Sequence, residues 1–186
     1  MKFETGNNAS IITHHGCTPK IHPSSFLAEG VKIIGEVEIG ENVSVWYNTV
    51  IRGDVNFIKI GAKSNIQDLS MLHVTNKKWP LILNENVSIG HSVSLHGCTL
   101  ETYCLIGIGA IVLDGAVIGE ESLVAAGSLV REGFKVPPRT LVAGVPAKVI
   151  RVLSETDLKR IKDTPGNYFN YVADYRNENA NFLSNI

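Results

Sequence analysis

The stretch of sequence that decides the fold reads Ile106-Gly107-Ile108-Gly109-Ala110-Ile111-Val112-Leu113-Asp114-Gly115-Ala116-Val117-Ile118-Gly119. Its aliphatic residues Ile106, Val112 and Ile118 are six positions apart, and a small residue stands four places after each of the first two. Neither the 3.6-residue period of a helix nor the two-residue alternation of a strand keeps this phase. A six-residue period is typical of a three-sided prism, in which each unit supplies a short strand and a corner.

The same period extends over most of the chain. It slips by three residues after Ile51, is interrupted by the polar segment 74–80, and shifts by one residue after Leu95. We predict about seven stacked coils of parallel strands between Ile21 and Val149, roughly 4.8 Å apart, with the aliphatic residues inward. Glycines that follow an aliphatic, such as Gly107, are expected to relieve tight corners. The aliphatic positions are Ile21, Leu27, Ile33, Ile39, Val45, Ile51, Ile60, Ile66, Leu72, Leu83, Ile89, Leu95, Leu100, Ile106, Val112, Ile118, Val124, Val130, Val136 and Val142.

A helical pattern follows the repeats. Ser154 and Asp157 predict a helix N-terminus, and Pro165-Gly166 predicts a break before a second helix with an aromatic stripe from Tyr168 to Tyr175. We therefore predict a β-helix domain with its N-terminal segment over residues 1–150, and a helical segment over residues 151–186 that packs on its side. The terminal segments 2–22 and 181–186 are candidates to cover the strand edges at the prism ends.

Composition excludes several classes of function. The 17 basic and 18 acidic side chains nearly cancel, without a basic run, so no nucleic-acid partner is expected. The first eight residues do not resemble a signal peptide, and no apolar run approaches the roughly 18 residues of a membrane span. These features predict a cytoplasmic protein without a membrane partner. Cys17, Cys98 and Cys104 lack metal-ligand spacing and are expected to be small buried hydrophobes.

Three histidines within the repeats indicate a metal site. His91 follows His73 by eighteen residues, or three six-residue steps, which predicts that they stack in adjacent coils; His96 follows closely. A lone histidine on a β surface is usually a hydrogen-bonded bystander, but three neutral imidazoles suit zinc with a fourth position open. Side chains on different faces of a convex prism diverge. We therefore expect a neighbouring chain to complete the shell, as in three prisms around a threefold axis.

Charged and amide side chains precede the histidines. Arg52, Asp54 and Asp68 are either solvated surface or an intersubunit salt bridge, in which Arg52 pairs with one of the carboxylates. Gln67 is a candidate to direct its amide toward a metal-bound water. The polar segment 74–80 is either a solvated excursion from a corner or a rim beside His73.

Together these residues resemble the γ-class carbonic anhydrase family, including its carbonic-anhydrase-like members. The resemblance covers roughly residues 17–175 and implies an all-β fold with C-terminal α structure, built on a left-handed parallel β-helix. It also implies a homotrimer with zinc, or iron or cobalt, bound between subunits. The motifs that carry it are Arg52-Gly53-Asp54, Asn65-Ile66-Gln67-Asp68, His73, Gly90-His91 and His96-Gly97-Cys98.

The resemblance also implies the ligands and the reaction. His73 and His96 of one subunit and His91 of its neighbour would bind the metal. The reaction would be the reversible hydration of carbon dioxide to bicarbonate by a hydroxide that the metal generates from water.

Five further residues receive roles from the resemblance. Gln67 would orient the bound water or bicarbonate, and Asp68 would support the site. Arg52 and Asp54 would help to hold the subunit interface. Tyr168 would reach the site from the C-terminal helix.

The chain departs from the active members of the family at two places. They carry a glutamate directly after the aspartate of the Arg-x-Asp motif and an acidic loop that exports protons, whereas this chain has Val55, and Lys77 and Lys78 in its loop. Two other functions therefore stay open. One is acyltransferase or thioesterase chemistry on a coenzyme A thioester, because hexapeptide-repeat acyltransferases share the repeat and the ending at residues 143–148. The other is a non-catalytic metal-binding trimer.

Overall fold

The computed structural model describes the backbone of residues 8–184 and the side chains of residues 8–177. Twenty short strands and one helix make up this part of the chain. Their bounds are β1 Ser10–Ile12, β2 Lys20–Ile21, β3 Phe26–Leu27, β4 Lys32–Ile39, β5 Ser44–Val45, β6 Val50–Ile60, β7 Asn65–Ile66, β8 Met71–His73, β9 Leu81–Leu83, β10 Ser88–Ile89, β11 Ser94–His96, β12 Thr99–Leu100, β13 Leu105–Ile106, β14 Ile111–Val112, β15 Val117–Ile118, β16 Leu123–Val124, β17 Leu129–Val130, β18 Lys135–Val136, β19 Thr140–Gly144, β20 Ala147–Val152 and α1 Glu155–Ser184.

The strands form the three faces of a prism. Face 1 contains β1, β8, β11, β14 and β17 with the first halves of β4 and β6. Face 2 contains β2, β9, β12, β15 and β18 with the second halves of β4 and β6, which bend around the corner between the two faces. Face 3 contains β3, β5, β7, β10, β13, β16 and β19, with β20 antiparallel at its edge. The predicted parallel β-helix of about seven coils is confirmed.

The core is the line of aliphatic residues with the six-residue period. Every predicted inward position is buried, from Ile21 in the first coil to Val142 in the last. Burying a valine, leucine or isoleucine side chain contributes about 1.5–3 kcal/mol, so this line is the main source of stability. The three-residue slip after Ile51 lies in β6, where the strand bends around the corner. Gly53 occupies the bend because a Cβ there would lie 2.5 Å from the carbonyl oxygen of Glu36.

The expected reason for the glycine at position 107 is wrong. The φ angle of Gly107 is not in the left-handed region, so it does not relieve a strained corner. Instead, a Cβ at this position would lie 2.4 Å from the backbone nitrogen of Ala126 in the next coil. Gly107 is needed for close stacking of the coils. Left-handed corners are occupied by other residues, such as Leu69 and Asn86.

The prediction of two C-terminal helices is wrong, because α1 continues through Pro165. Proline removes one helical hydrogen bond. However, Leu158, Ile161, Pro165, Tyr168 and Val172 are spaced by three and four residues, so the segments before and after the proline share one face. That face packs on the prism, and the packing holds the helix continuous.

The N-terminus of α1 agrees with its prediction. The Ser154 backbone nitrogen donates to Asp157 Oδ2 over 2.8 Å, and Ser154 Oγ accepts from the Asp157 backbone nitrogen over 3.3 Å. This reciprocal pair satisfies two donors at the start of the helix.

Helix α1 lies along face 3 from the last coils back to the first. Near its start, Leu158 and Ile161 pack with Leu105 of β13. Further along, the ring of Tyr168 packs edge-on against Trp46, with 5.5 Å between the ring centroids. The helix therefore covers face 3 and leaves face 1 free of it.

An ion-pair cluster fastens the start of α1 to the prism. The Glu121 carboxylate is 7% exposed, pairs with Lys162 of α1 over 2.6 Å and accepts from Arg139 Nε over 2.7 Å. The hydrogen bond from Lys162, reinforced by Arg139, holds the pKa of Glu121 below its usual value. A carboxyl whose pKa is lowered in the folded state stabilises the protein above its usual pKa and loses that contribution as the pH falls.

We expect Glu121→Gln to lower the melting temperature at pH 7, because it removes the charge that both cations face. The difference from the wild type should shrink at about pH 3, below the usual glutamate pKa of about 4.3, because this contribution is lost as the pH falls toward the lowered pKa of the folded carboxyl. Thermal unfolding followed by circular dichroism at both pH values measures this, with exposed Glu120→Gln as control. A deficit of the same size at both pH values would contradict the account.

The three cysteines differ in burial. Cys98 and Cys104 are buried as predicted, and burial raises the pKa of the Cys104 thiol to about 12. The expectation is wrong for Cys17, which is exposed in a turn where its backbone pairs with His14. Among residues 8–184, no helix combines the length and the apolar character that a membrane crossing requires.

Only part of the terminal segments that were expected to cover the prism ends is described by the structure. Strands β1 and β2 add to faces 1 and 2 at the first coil, as expected of residues 10–21. Residues 2–7 and the last two residues, which were also expected to cover the prism ends, lie outside the described part of the chain.

Candidate metal centre

Two histidines meet at the corner between face 1 and face 2. His73 ends β8 and His96 ends β11, and the two are direct partners in the parallel pairing of these strands. Their rings face each other, with His73 Nδ1 3.0 Å from His96 Nε2. The expectation that His73 stacks with His91 is wrong. The excursion at 74–80 adds five residues to the six-residue step between Leu72 and Leu83, so Leu95 pairs with Leu72 and His96 and not His91 stands beside His73.

A carboxylate holds the outer nitrogen of each of these rings. Asp54 Oδ1 is 2.9 Å from His73 Nε2, and Asp114 Oδ1 is 2.7 Å from His96 Nδ1. Because a carboxylate only accepts, each outer nitrogen is the donor. Metal-ligating histidines commonly have such a carboxylate behind them, which fixes the ring and its tautomer.

Asp54 is itself held from two sides. Arg52 Nη1 donates to its second oxygen. Although burial raises the pKa of Asp54, the hydrogen bonds from His73 and Arg52 outweigh it and hold the pKa below its usual value. The carboxylate therefore stays ionised beside His73. We call Arg52, Asp54, His73, His96 and Asp114 the His73 half-site.

His91 lies at a different corner, between face 3 and face 1. It follows β10, and its Nδ1 is 2.8 Å from Asp68 Oδ2 of the preceding coil. Burial, and next the negative charge of Asp68, raise the pKa of Tyr168 of α1 to about 12. Gln67, next to Asp68, is buried, and its Nε2 donates to Asn65 Oδ1 over 3.1 Å. We call Gln67, Asp68, His91 and Tyr168 the His91 half-site.

The two half-sites are on opposite edges of face 1. Among the described side chains of residues 8–177, no group of three or more histidine, cysteine or acidic residues of one chain is arranged to hold a metal ion. The predicted site residues are therefore gathered into two sets and not into one. Within the chain, Arg52 pairs with Asp54. A salt bridge of Arg52 between subunits stays a prediction.

The surface between the half-sites is apolar. In the coils that carry the half-sites, face 1 and its corner with face 3 expose four large side chains, with exposed fractions from 40% to 63%. They are Leu69, Met71, Ile108 and Ile111. Helix α1 does not cover this surface, which we call the apolar face.

Sequence reasoning missed Asp114 and Thr75. Asp114 follows His96 by eighteen residues, one complete coil, and this spacing is the signal that could have found it. Thr75 Oγ1 donates to Asp114 Oδ2 over 2.6 Å. The segment 74–80 is closed by pairing between Thr75 and Trp79. Of its two interpretations, the structure therefore favours a rim beside the histidines.

The His73 half-site fits a metal ion. An ion about 2.0 Å from each of two tetrahedrally placed nitrogens holds those nitrogens about 3.3 Å apart, close to the distance between His73 Nδ1 and His96 Nε2. Both outer nitrogens are donors to carboxylates, so the inner ones can offer lone pairs. Imidazole ligands of this kind suit zinc, iron and cobalt. The third histidine of the repeats, His91, lies at the other edge of face 1.

Residues 18–53 match the family model described as bacterial transferase hexapeptide (six repeats). The period, the three faces and this match define the class of protein as a hexapeptide-repeat β-helix protein. A solved structure of a Bacillus cereus protein, provisionally called an acetyltransferase, is 46% identical. It superposes with a TM-score of 0.89 over 92% of this chain and 99% of that one.

Sequence relatives narrow the class to a family. A carbonic anhydrase of Geobacillus kaustophilus is 49% identical over 152 residues, which are 82% of this chain and 83% of that protein. The mitochondrial γ carbonic anhydrase 1 of Arabidopsis thaliana is 40% identical over 173 residues, which are 90% of this chain and 63% of the plant protein. The chain thus spans less than two thirds of that relative. It belongs to the γ-class carbonic anhydrase family of hexapeptide-repeat proteins.

Proposed function

We propose that this protein is a metal-dependent enzyme that interconverts carbon dioxide and bicarbonate at sites between the subunits of a homotrimer. The observation that carries the proposal is the His73 half-site. Two inner imidazole nitrogens face each other across 3.0 Å, and a carboxylate holds the outer nitrogen of each ring. The relatives named carbonic anhydrase support the choice of reaction.

The three histidines would hold the ion. His73 and His96 of one subunit and His91 of its neighbour supply three neutral nitrogens, a donor set that accepts zinc and also iron or cobalt. When bound, such an ion acts as a Lewis acid and makes water a nucleophile at neutral pH.

The carboxylates keep the imidazoles in the required form. Asp54 holds the proton on His73 Nε2, Asp114 on His96 Nδ1 and Asp68 on His91 Nδ1. In each ring the other nitrogen is left free to bind the ion. The proposal therefore gives these aspartates a positioning role.

Two other members of the His91 half-site receive proposed roles. Gln67 is fixed by Asn65, which in turn donates to Ser88 Oγ over 2.7 Å, so its amide has little freedom to reorient. We assign it the orientation of water or bicarbonate. Tyr168, whose ring packs edge-on against Trp46, is assigned to the side of the site that faces α1.

The apolar face supports the homotrimer. Contiguous exposed apolar side chains mark protein interfaces. A ring of three copies that meet through this face would bring the His91 half-site at one edge of a subunit toward the His73 half-site at the edge of the next. Arg52, which is 40% exposed at that edge, would help to hold the interface together with Asp54.

The residue after Asp54 and the lysines of the 74–80 segment argue for slow hydration. Val55, which is exposed, follows Asp54, and the backbone nitrogen of Lys77 donates to the Val55 carbonyl over 3.3 Å. Val55, Lys77 and Lys78 cannot accept a proton as a carboxylate does. Proton export would then limit turnover.

The second candidate is thioester hydrolysis or acyl transfer. The missing carboxylates favour acyl transfer to a hydroxyl in particular. In that reaction the hydroxyl proton ends on the thiol leaving group and no net proton has to leave, whereas thioester hydrolysis releases one proton per turnover, as hydration does. The repeat architecture shared with the B. cereus protein is compatible with this chemistry. Release of free thiol from acetyl-coenzyme A distinguishes it from hydration.

The experiment is stopped-flow hydration of carbon dioxide by the native protein, with elemental analysis of the same sample. We expect about one zinc, iron or cobalt per chain, as three-histidine sites bind. Hydration should be lost in His96→Ala and kept in His22→Ala, whose ring contacts only surface Ser24. Hydration that survives in His96→Ala contradicts the proposal. Thiol release without hydration would replace it by the second candidate.

A further inference from the structure

Asp114 stands at the meeting point of the metal site and the 74–80 segment. It follows β14, one coil after His96, at the same corner between face 1 and face 2. One oxygen accepts from His96 Nδ1 over 2.7 Å and the other accepts from Thr75 Oγ1 over 2.6 Å. Both oxygens of the carboxylate are therefore engaged, and its orientation is determined by two donors from different segments.

The residue after His96 makes room for this carboxylate. Gly97 has a φ of +53°, in the left-handed region, and a Cβ built on it would lie 2.3 Å from Asp114 Oδ1. The same Cβ would lie 2.7 Å from the Cβ of Trp79. Only glycine lets Asp114 reach back to His96 while Trp79 packs on the same spot.

The 74–80 segment is fastened in the position that Thr75 needs. Its ends are joined by the pairing of Thr75 with Trp79, and Asn56 Nδ2 donates to the Thr75 carbonyl over 3.0 Å. The Trp79 ring lies over Gly115, where a Cβ would be 2.9 Å from the indole. The threonine hydroxyl is thus a fixed donor to Asp114.

We propose that Asp114 is a positioning residue for the metal centre, and that Thr75 of the 74–80 segment sets its orientation, so that this segment tunes the affinity for the metal. This inference rests on the proposed function for the identity of the ligand. Asp114 would do for His96 what Asp54 does for His73: it accepts from the outer ring nitrogen and fixes the ring. The 74–80 segment is then a structural support of the site, and its lysines are not needed for this role.

The experiment measures metal affinity and not turnover. The full-length protein is stripped of metal, and the dissociation constants for Zn²⁺ and Co²⁺ are measured by competition with a chromophoric chelator. Loss of a carboxylate behind a histidine ligand weakens metal binding about 10- to 100-fold. We expect a loss of this size for Asp114→Ala and a smaller one for Thr75→Val. The Co²⁺ absorption spectrum should change in Asp114→Ala, because the His96 ring is no longer fixed.

The matched control is Glu132→Ala. Glu132 stands one coil after Asp114 at the same corner and lines the same cleft beside Trp79. Glu132→Ala removes one negative charge, as Asp114→Ala does, but Glu132 holds no histidine. We therefore expect the Glu132→Ala protein to bind metal with the affinity of the wild type. Thermal unfolding of the metal-free proteins checks the fold. If Asp114→Ala does not fold, Asp114→Asn replaces it, since it keeps the shape and loses only the charge.

The outcomes separate the inference from the function. A wild type that binds no metal refutes the proposed function and the inference with it. A wild type that binds metal, with Asp114→Ala of equal affinity and an unchanged Co²⁺ spectrum, overturns the inference alone. If Glu132→Ala weakens metal binding as much as Asp114→Ala, the inference is also overturned, because the loss of affinity would then come from the net charge of the cleft and not from the contact with His96.

Discussion

Replacing His91 by alanine is expected to release the metal as completely as replacing His73, although the two side chains lie at opposite edges of face 1. Each histidine contributes one of three protein ligands, and in the proposed trimer every site takes His91 from a neighbouring subunit. Elemental analysis should register a fall from about one ion per chain to nearly none in both variants. The oligomer mass, measured by light scattering, should remain that of the wild type.

The controls for this prediction are two other histidines. The ring of His14 contacts His15, and the ring of His22 is hydrogen-bonded to Ser24. His14→Ala and His22→Ala should keep the full metal content. Full retention of metal by His91→Ala, with loss in His73→Ala, would mean that the site is completed without His91.

Leu95→Ala is expected to destabilise the protein by about 2–5 kcal/mol, the usual loss when a buried leucine is truncated and a cavity remains. Leu95 is 1% exposed and lies between His91 and His96. In β11 it pairs with Leu72 of the preceding coil and Val112 of the following one. Because both neighbours are fixed in a stacked array, the coils cannot close the cavity. Urea unfolding at constant protein concentration measures the loss.

Lys59→Ala is the control for this change. Lys59 precedes buried Ile60 in the second half of β6 on face 2, outside the proposed interface, and its side chain is exposed, so its replacement opens no cavity in the core. We expect a change of less than about 0.5 kcal/mol, as at other surface positions. If Leu95→Ala were no more destabilising than Lys59→Ala, the line of aliphatic residues would not be the main source of stability.

The fold could be predicted because one physical demand recurs along most of the chain. Ile106, Val112 and Ile118 are six residues apart and each takes an inward position, which a three-sided prism provides. The N-terminus of α1 was equally accessible, because a serine and an aspartate three residues apart satisfy two backbone donors locally. Pro165 was misinterpreted for the opposite reason. Its local effect on the helix is weaker than the packing of the whole apolar stripe on face 3, and that packing is a tertiary effect.

The site was predictable in its residues but not in its arrangement. His73, His91 and His96 were identifiable as a group. However, the six-residue period places His91 beside His73, whereas in the structure His96 is the partner of His73. The number of residues that leave the array at 74–80 is decided by how Trp79 packs on Gly97 and Gly115, which the sequence alone does not reveal. Asp114 was missed because an aspartate before a glycine is also a common turn residue. Its role depends on a left-handed glycine one coil away.

A mixture of two inactive variants tests directly whether the metal site is shared between subunits. His73→Ala and His91→Ala chains are co-expressed in equal amounts, and metal content is measured on the mixed trimers. A site shared between subunits is intact only where a chain with His73 and His96 meets a chain with His91. Random assembly should therefore restore about one site in four. Each variant alone should bind almost no metal, and recovery of hydration should follow recovery of metal. Mixed trimers as free of metal as the separate variants, at unchanged mass, would contradict a site built between chains.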